Sequence, residues 1–138
     1  MAIKILITSQ CLCCQVAFHG GENKYQEIAN FVKKIHESST PIAAICGATM
    51  FLAKHGFLDN IKHTGDELDY FLEEMKNEEG YKGQANFVKA QLINDGGFIT
   101  ANETAALEFA REIFLTLKIG TIDATDSWYD KFKYGMIW

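Results

Sequence analysis

Cys46 stands at the end of an apolar run, Pro41-Ile42-Ala43-Ala44-Ile45, and before three small residues, Gly47, Ala48 and Thr49. A short run of aliphatic and small residues suits a strand covered on both faces. Met50, Phe51, Leu52 and Ala53 continue in a helix-compatible pattern. A nucleophile between a strand end and a helix start makes a nucleophile elbow, whose tight turn demands small residues after it. The turn pushes the side chain out at the carboxyl edge of the sheet. Behind it lie unpaired backbone N–H groups and the positive end of the helix dipole. Both favour a thiolate, so the pKa of Cys46 is expected to fall. A buried structural cysteine at a strand end fits the same spacing, and spacing alone leaves both readings open.

The other reactive residue types give weaker patterns. Cys11-Leu12-Cys13-Cys14 lacks the two-residue gaps and the second ligand pair of a thiolate metal site, so strand thiols are the expectation and no metal or cofactor is assigned. Gly20-Gly21 and Gly96-Gly97 have neither Walker nor dinucleotide-binding spacing. His36 and His55 fall near helix ends, where a cation suits the dipole. Glu73-Glu74 and Glu78-Glu79 read as solvated charges.

The elements that must position Cys46 follow from periodicity. Ile3 to Thr8 reads as a first strand, residues 9–15 are left unassigned, and Val16-Ala17-Phe18 reads as a short second strand ended by His19-Gly20-Gly21. Tyr25, Ile28, Phe31, Val32 and Ile35 mark an amphipathic helix over 24–37. Strand, glycine pair, helix, strand, cysteine and helix form a βαβα unit, which implies a parallel sheet. Gly56 is placed to end the elbow helix. Ile61 to Gly65 reads as a short extended piece. Asp66 is expected to cap a helix over 67–76. Residues 85–93 read as a strand, Asn94-Asp95-Gly96-Gly97 as a hairpin turn, and 98–101 as the returning strand. Residues 103–118 read as a helix. The aromatic tail, with Trp128, Tyr129, Phe132, Tyr134 and Trp138, is expected to dock on the body or on a partner subunit.

Composition bounds the function. The 138 residues make one domain, and 48% hydrophobic content is ample for a core. A net charge of −5 without a basic cluster argues against nucleic acid and anionic membranes as partners. No apolar run approaches the roughly 20 residues of a membrane span. The N-terminus lacks a signal-peptide pattern. The expectation is a cytoplasmic protein whose cysteines are thiols.

Ala44-Ile45-Cys46-Gly47-Ala48-Thr49, with Leu52 to Asp59, resembles the elbow and following helix of the ThiJ/PfpI family, a branch of the class I glutamine amidotransferase-like superfamily. Gly96 to Ala101, with Ala105 to Ala110, is similar to that family's hairpin and last helix. Phe18-His19-Gly20-Gly21 sits where the family has a strand ending in a glycine pair, and Trp128-Tyr129 with Phe132-Lys133 fits a subgroup of amidotransferase-like members. The resemblance covers roughly residues 16–134. It implies an α/β fold, a flavodoxin-like three-layer sandwich with a mostly parallel sheet and a β-hairpin near the C-terminal helix, as one domain over 1–138. It implies a homodimer or larger assembly. The implied activity is that of a cysteine-dependent amidotransferase or hydrolase acting on a small-molecule or peptide substrate. Cys46 is the implied nucleophile, and N–H groups of Gly47 and of Gly21 or Gly20 form the oxyanion hole, where glycine lets donors approach closely. The alternative is a redox- or stress-sensing thiol protein, or a divergent remnant of the fold.

Two departures bear on the chemistry. The family's early βαβ segment, which supplies an acid beside the cysteine, is shortened here, and Glu22 is the nearest stand-in. The family histidine after the elbow helix, matched without gaps from Gly56, falls on Asp66. A local shift brings in His63 instead as the proton shuttle, against a reading of His63 as a strand-end polar residue.

Overall fold

A computed structural model describes residues 3–8, 11–16, 22–76 and 80–136. Its strands are β1 (Ile3–Thr8), β2 (Cys11–Val16), β3 (Ile42–Ile45), β4 (Leu92–Asp95) and β5 (Phe98–Ala101). They form one sheet in the order β1-β2-β3-β5-β4. β2, β3 and β5 run parallel at the centre, and β1 and β4 pair antiparallel at the edges. The helices are α1 (Glu22–Glu37), α2 (Gly47–Lys54), α3 (Leu68–Met75), α4 (Ala106–Thr116) and α5 (Ile122–Tyr134).

The pleat of β3 sorts the core into two layers. Ile42 and Ala44 face α1 and α2, joining Val32, Leu52, Leu58, Phe71 and Phe98 in the larger cluster. Ala43 faces the other way, with Ile99, Ala101, Ala105 and Phe109 under α4. The result is a three-layer α/β/α sandwich with small residues at its centre. Fully burying a Leu or Phe contributes about 1.5–3 kcal/mol, and Leu52, Leu58 and Phe71 are completely buried in the layer behind the elbow. Among the described residues, no helix is long and apolar enough to cross a membrane.

Several expectations are corrected. The second strand lies on 11–16, so Cys11, Cys13 and Cys14 belong to it, with Cys13 opposite Ala43 and Cys14 opposite Ala44. Ala17 and Phe18, assigned to that strand from sequence, lie outside the described residues, as do His19, Gly20 and Gly21. The expected strand over 85–93 survives only from Leu92. Residues 84–86 are a 3-10 turn, and Phe87 forms a lone bridge with His63. The backbone there is spent on the neighbouring loop, through Val88 N–H to His63 O and Thr64 Oγ1 to Ala90 O. α4 begins at Ala106, not 103, because the Asn102 side chain accepts from both the Thr104 N–H and hydroxyl and turns the chain first.

Other features agree with the sequence. Gly56, at φ +77°, ends α2, with its N–H on Ala53 O and the Phe57 N–H on Leu52 O. This is the paired bonding of a Schellman motif. The β4–β5 turn has Gly96 and Gly97 at φ +57° and +84°, as a primed hairpin turn requires. The tail forms α5, capped by Thr121 accepting from the Ala124 N–H. α5 docks on α4 through Trp128 against Phe114 and Asp126 against Arg111.

Candidate active site

β3 ends at Ile45 and α2 begins at Gly47, so Cys46 must reverse the chain in one residue. It does so at φ 56°, ψ −134°, a conformation that costs a non-glycine residue on the order of 1–3 kcal/mol. The turn is over-determined. The Cys46 N–H bonds Ala101 O at 3.1 Å, and Cys46 O accepts from the Thr49 N–H at 2.9 Å and the Thr49 hydroxyl at 2.7 Å. Every residue from Gly47 to Ala53 is buried, so α2 cannot shift to relieve the strain. The Cys46 side chain is exposed. This is the elbow expected from the spacing.

The group beside the sulfur is Asp66. The Cys46 thiol donates to Asp66 Oδ2 at 3.6 Å. Asp66 therefore does not cap α3, whose N-cap is Glu67 with no side-chain bond. The loop carrying Asp66 is pinned on both sides. Thr64 N–H donates to Thr100 Oγ1 at 3.0 Å, and Thr64 Oγ1 donates to Ala90 O at 2.7 Å. Gly65 lies so close to the elbow helix that a Cβ there would stand 2.7 Å from Thr49 Oγ1 and 2.8 Å from Phe71.

His63 does not take the place beside the thiol. It is fully buried, with Nδ1 2.9 Å from Ile61 O and Nε2 2.9 Å from the Tyr81 hydroxyl. The carbonyl can only accept, so Nδ1 carries the proton and Nε2 accepts from Tyr81. Burial holds the His63 pKa down, and burial raises that of Tyr81 to about 12. Both ring nitrogens are engaged in fixing the loop, and the ring packs edge-on against Tyr81 and Phe87. The proton shuttle expected at His63 is thus corrected to a buried anchor of the segment that delivers Asp66.

The electrostatics also revise the sequence reading. The Cys46 pKa lies above its ordinary value, not below it. Partial burial is the main cause, and the Asp66 and Glu103 carboxylates add to it. The Gly47 N–H, bonded toward the sulfur, opposes them. Asp66 is pushed up to about 6, by burial first and then by the Glu103 carboxyl beside it. Glu103 was not foreseen. It follows β5 by two residues at the carboxyl edge of the sheet, where α/β sheets place their binding crevices. A cleft of about 470 Å³ opens there, lined in part by Asp66, Phe87, Lys89, Gln91, Asn102 and Glu103.

Gly47 is the first residue of α2, and its N–H faces the sulfur. β2 ends at Val16 on the same sheet edge as Cys46, because Cys14 pairs with Ala44 in parallel register. Glu22 opens α1. No group of three His, Cys, Asp or Glu side chains that could hold a metal ion occurs among the described residues.

With this geometry in view, the comparisons with known proteins are specific. The model of the DJ-1/PfpI family matches residues 19–116. The uncharacterized protease YoaZ of Bacillus subtilis is 39% identical over 109 residues, which are 79% of this chain and 50% of that protein. The uncharacterized protease YdeA of the same organism is 36% identical over 113 residues, 82% of this chain and 55% of that protein. The crystal structure of a ThiJ/PfpI family protein from Bacillus anthracis superposes with a TM-score of 0.82 at 32% identity, covering 91% of this chain and 58% of that one. A DJ-1 superfamily protein from Agrobacterium tumefaciens gives a TM-score of 0.70 at 26% identity, covering 89% and 63%. The chain thus spans about half the length of the curated relatives it matches.

Proposed function

Because the chain belongs to the DJ-1/PfpI family, we propose that it is a cysteine-dependent hydrolase with amidotransferase-like chemistry, in which Cys46 is the nucleophile and Asp66 its proton partner. The observation that carries this reading is the strained elbow with a carboxylate oxygen 3.6 Å from the sulfur. A thiol whose pKa is raised keeps its proton at neutral pH, so it needs a base at the moment of attack. Asp66, titrating at about 6, is matched to that task near neutrality.

Sulfur bonds the carbonyl carbon of an amide, its proton passes to Asp66 Oδ2, and the carbonyl π pair moves onto oxygen. The Gly47 N–H, with one from Gly20 or Gly21, receives that oxyanion in this proposal. Collapse breaks the carbon–nitrogen bond, and Asp66 returns its proton to the leaving amine. Water then attacks the thioester, giving its proton to Asp66, and expulsion of the sulfur with that proton restores the thiol. The protease names of both Bacillus subtilis relatives support an amide or peptide as substrate. A homodimer or larger assembly remains part of the proposal, with sedimentation as its measurement.

The second reading is a stress- or oxidant-sensing thiol, favoured by the exposure of Cys46 and the engagement of His63 elsewhere. Screening wild type, Cys46→Ala and Asp66→Asn against peptide and simple amide substrates separates the two. Hydrolysis lost completely in Cys46→Ala and reduced about 10²–10⁴-fold in Asp66→Asn is expected for a nucleophile with a general base. Wild-type turnover that survives in Cys46→Ala would sink the hydrolase assignment.

A further inference from the structure

The loop that carries Asp66 is backed by a closed box of four rings. His63 meets Tyr81 and Phe87 edge-on, with centroids 5.8 Å and 5.7 Å away. Phe71 closes the box, 5.4 Å from Tyr81 and 5.3 Å from Phe87. His63 and Phe71 are fully buried. Inside the box, the Tyr81 hydroxyl meets His63 Nε2 at 2.9 Å. Ring pairs accept centroid separations from about 4.5 to 7 Å, whereas a hydrogen bond fixes both distance and direction. That bond also selects the His63 tautomer. With Tyr81 donating to Nε2, Nδ1 keeps its proton for Ile61 O, 2.9 Å away.

The box meets the site at Gly65. The backbone anchors of the loop, to Asn86 O, Val88 N–H, Thr100 Oγ1 and Ala90 O, all belong to His63 and Thr64. Beyond them, Gly65 is packed between Thr49 and Phe71, where a Cβ would stand 2.7 Å from Thr49 Oγ1 and 2.8 Å from the Phe71 ring. The next residue is Asp66, with Oδ2 3.6 Å from the Cys46 sulfur.

We propose that Tyr81 is a positioning residue for the Cys46–Asp66 pair: its hydroxyl locks the His63 ring, the locked box holds Phe71 behind Gly65, and Gly65 holds Asp66 at the sulfur. The inference rests on the reading of Asp66 as the proton partner of Cys46. Tyr81 touches no reacting atom. It reaches the surface in a separate groove of about 680 Å³ beside α3, with Lys76, Lys82 and Gln84. The charge that acts on both Tyr81 and His63 is that of Asp59, whose Oδ1 accepts from the Lys82 N–H at 2.8 Å. The partners of the two His63 nitrogens are a carbonyl and a hydroxyl, so the buried ring stays neutral and Tyr81 stays the donor.

The position of Asp66 can be read from Cys46. A carboxylate beside a thiol holds the thiol pKa up, by its charge and by accepting the thiol proton. The other groups acting on the sulfur are the Gly47 N–H and the Glu103 carboxylate, and neither belongs to the 61–66 loop. If the loop slackens, Asp66 leaves the sulfur and the Cys46 pKa falls, while hydrolysis slows for want of its base. A more acidic thiol in a slower enzyme marks a displaced base, and a loss of stability alone does not produce it.

The test uses Tyr81→Phe, which keeps the ring and removes the hydroxyl. The Cys46 midpoint is taken from the pH dependence of iodoacetamide alkylation, followed at Cys46 by peptide mass spectrometry in wild type, Tyr81→Phe, Asp66→Asn and the double variant. Tyr81→Phe should lower the midpoint by about half a unit or more and slow hydrolysis several-fold. In the Asp66→Asn background the same change should move the midpoint far less, because the two act through one contact. A midpoint unmoved by Tyr81→Phe but shifted by Asp66→Asn overturns the proposal and leaves the reading of Asp66 standing. A midpoint unmoved by Asp66→Asn overturns both and places the fault in that reading. Equal shifts in the two backgrounds mean that Tyr81 acts on the fold at large, and overturn the proposal as well. Nitrogen NMR of the wild-type protein at pH 7 needs no variant. It should find His63 protonated at Nδ1 and unprotonated at Nε2, and a proton on Nε2 overturns the proposal.

Discussion

Asp66 carries two burdens, one chemical and one thermodynamic. Its pKa is raised in the folded protein from 3.8 to about 6, so the folded state binds a proton more tightly than the unfolded one. The stability this contributes is full below pH 3.8 and is lost as pH rises through about 6. Above that, an ionised, partly buried Asp66 beside Glu103 destabilises the fold. Asp66→Asn should therefore raise the melting temperature at pH 8 while impairing hydrolysis, and its advantage should shrink at pH 4. Asp66 is only partly buried, so the gain at pH 8 is discounted for solvent screening to about 1 kcal/mol or less, roughly 4 °C in a domain of this size. A melting temperature that falls equally at both pH values would show that Asp66 is a structural ligand and not a strained base. The residue also marks the limit of sequence reasoning. An aspartate just before a helix is usually a cap, and its partner here lies twenty positions earlier, where no local pattern points. The gap-free match of the family histidine to Asp66 was the one available signal.

Elements reach the site only through close approach. The elbow was legible because a turn of one residue into a buried helix admits only small side chains, and Gly47, Ala48 and Thr49 spell that out. The loop facing it was legible only as a short extended piece, since its anchors come from Thr100, Ala90 and Tyr81, each far away in sequence. β2 escaped recognition because Cys-Leu-Cys-Cys-Gln has neither alternation nor the usual β-branched content. Gly65 shows how tightly loop and elbow are fitted. A methyl group added there meets Thr49 Oγ1 at 2.7 Å and Phe71 at 2.8 Å, both buried. The contact cannot be relieved by swinging out a flexible chain end, so the loop must move and take Asp66 with it. Gly65→Ala should cost about 1–3 kcal/mol in urea unfolding and lower hydrolysis at least as far as Asp66→Asn does. Full activity in a destabilised Gly65→Ala protein would mean that the position of Asp66 does not set the rate.

At the scale of the whole molecule, the sandwich separates chemistry from docking. α1, α2 and α3 pack on the elbow face of the sheet, and α4 covers the other face, with α5 outside it. α5 is held mainly along one seam. Tyr129 and Lys133 both donate to Glu108, Asp126 pairs with Arg111, and Trp128 stacks on Phe114. Much of its remaining surface is open, with Ile122, Phe132 and Tyr134 between 66% and 72% exposed, so the seam has little apolar burial to support it. Glu108 is the shared acceptor, and its hydrogen bond to Lys133 holds its carboxyl below the usual glutamate range. A depressed carboxylate stabilises above its unfolded pKa and loses that contribution as pH falls through the folded value. Glu108→Ala should therefore lower hydrogen-exchange protection, taken relative to intrinsic exchange, several-fold across residues 122–134 at pH 7, and acid should do the same to the wild-type chain while leaving the mutant's protection less changed. Exchange in α2 should not respond, because the sheet lies between. Iodoacetamide reactivity of Cys46 at pH 7 should also match wild type. If loosening α5 changes that reactivity, the two faces of the sandwich are coupled, and Glu103, on the short link between β5 and α4, is the place where the coupling would enter.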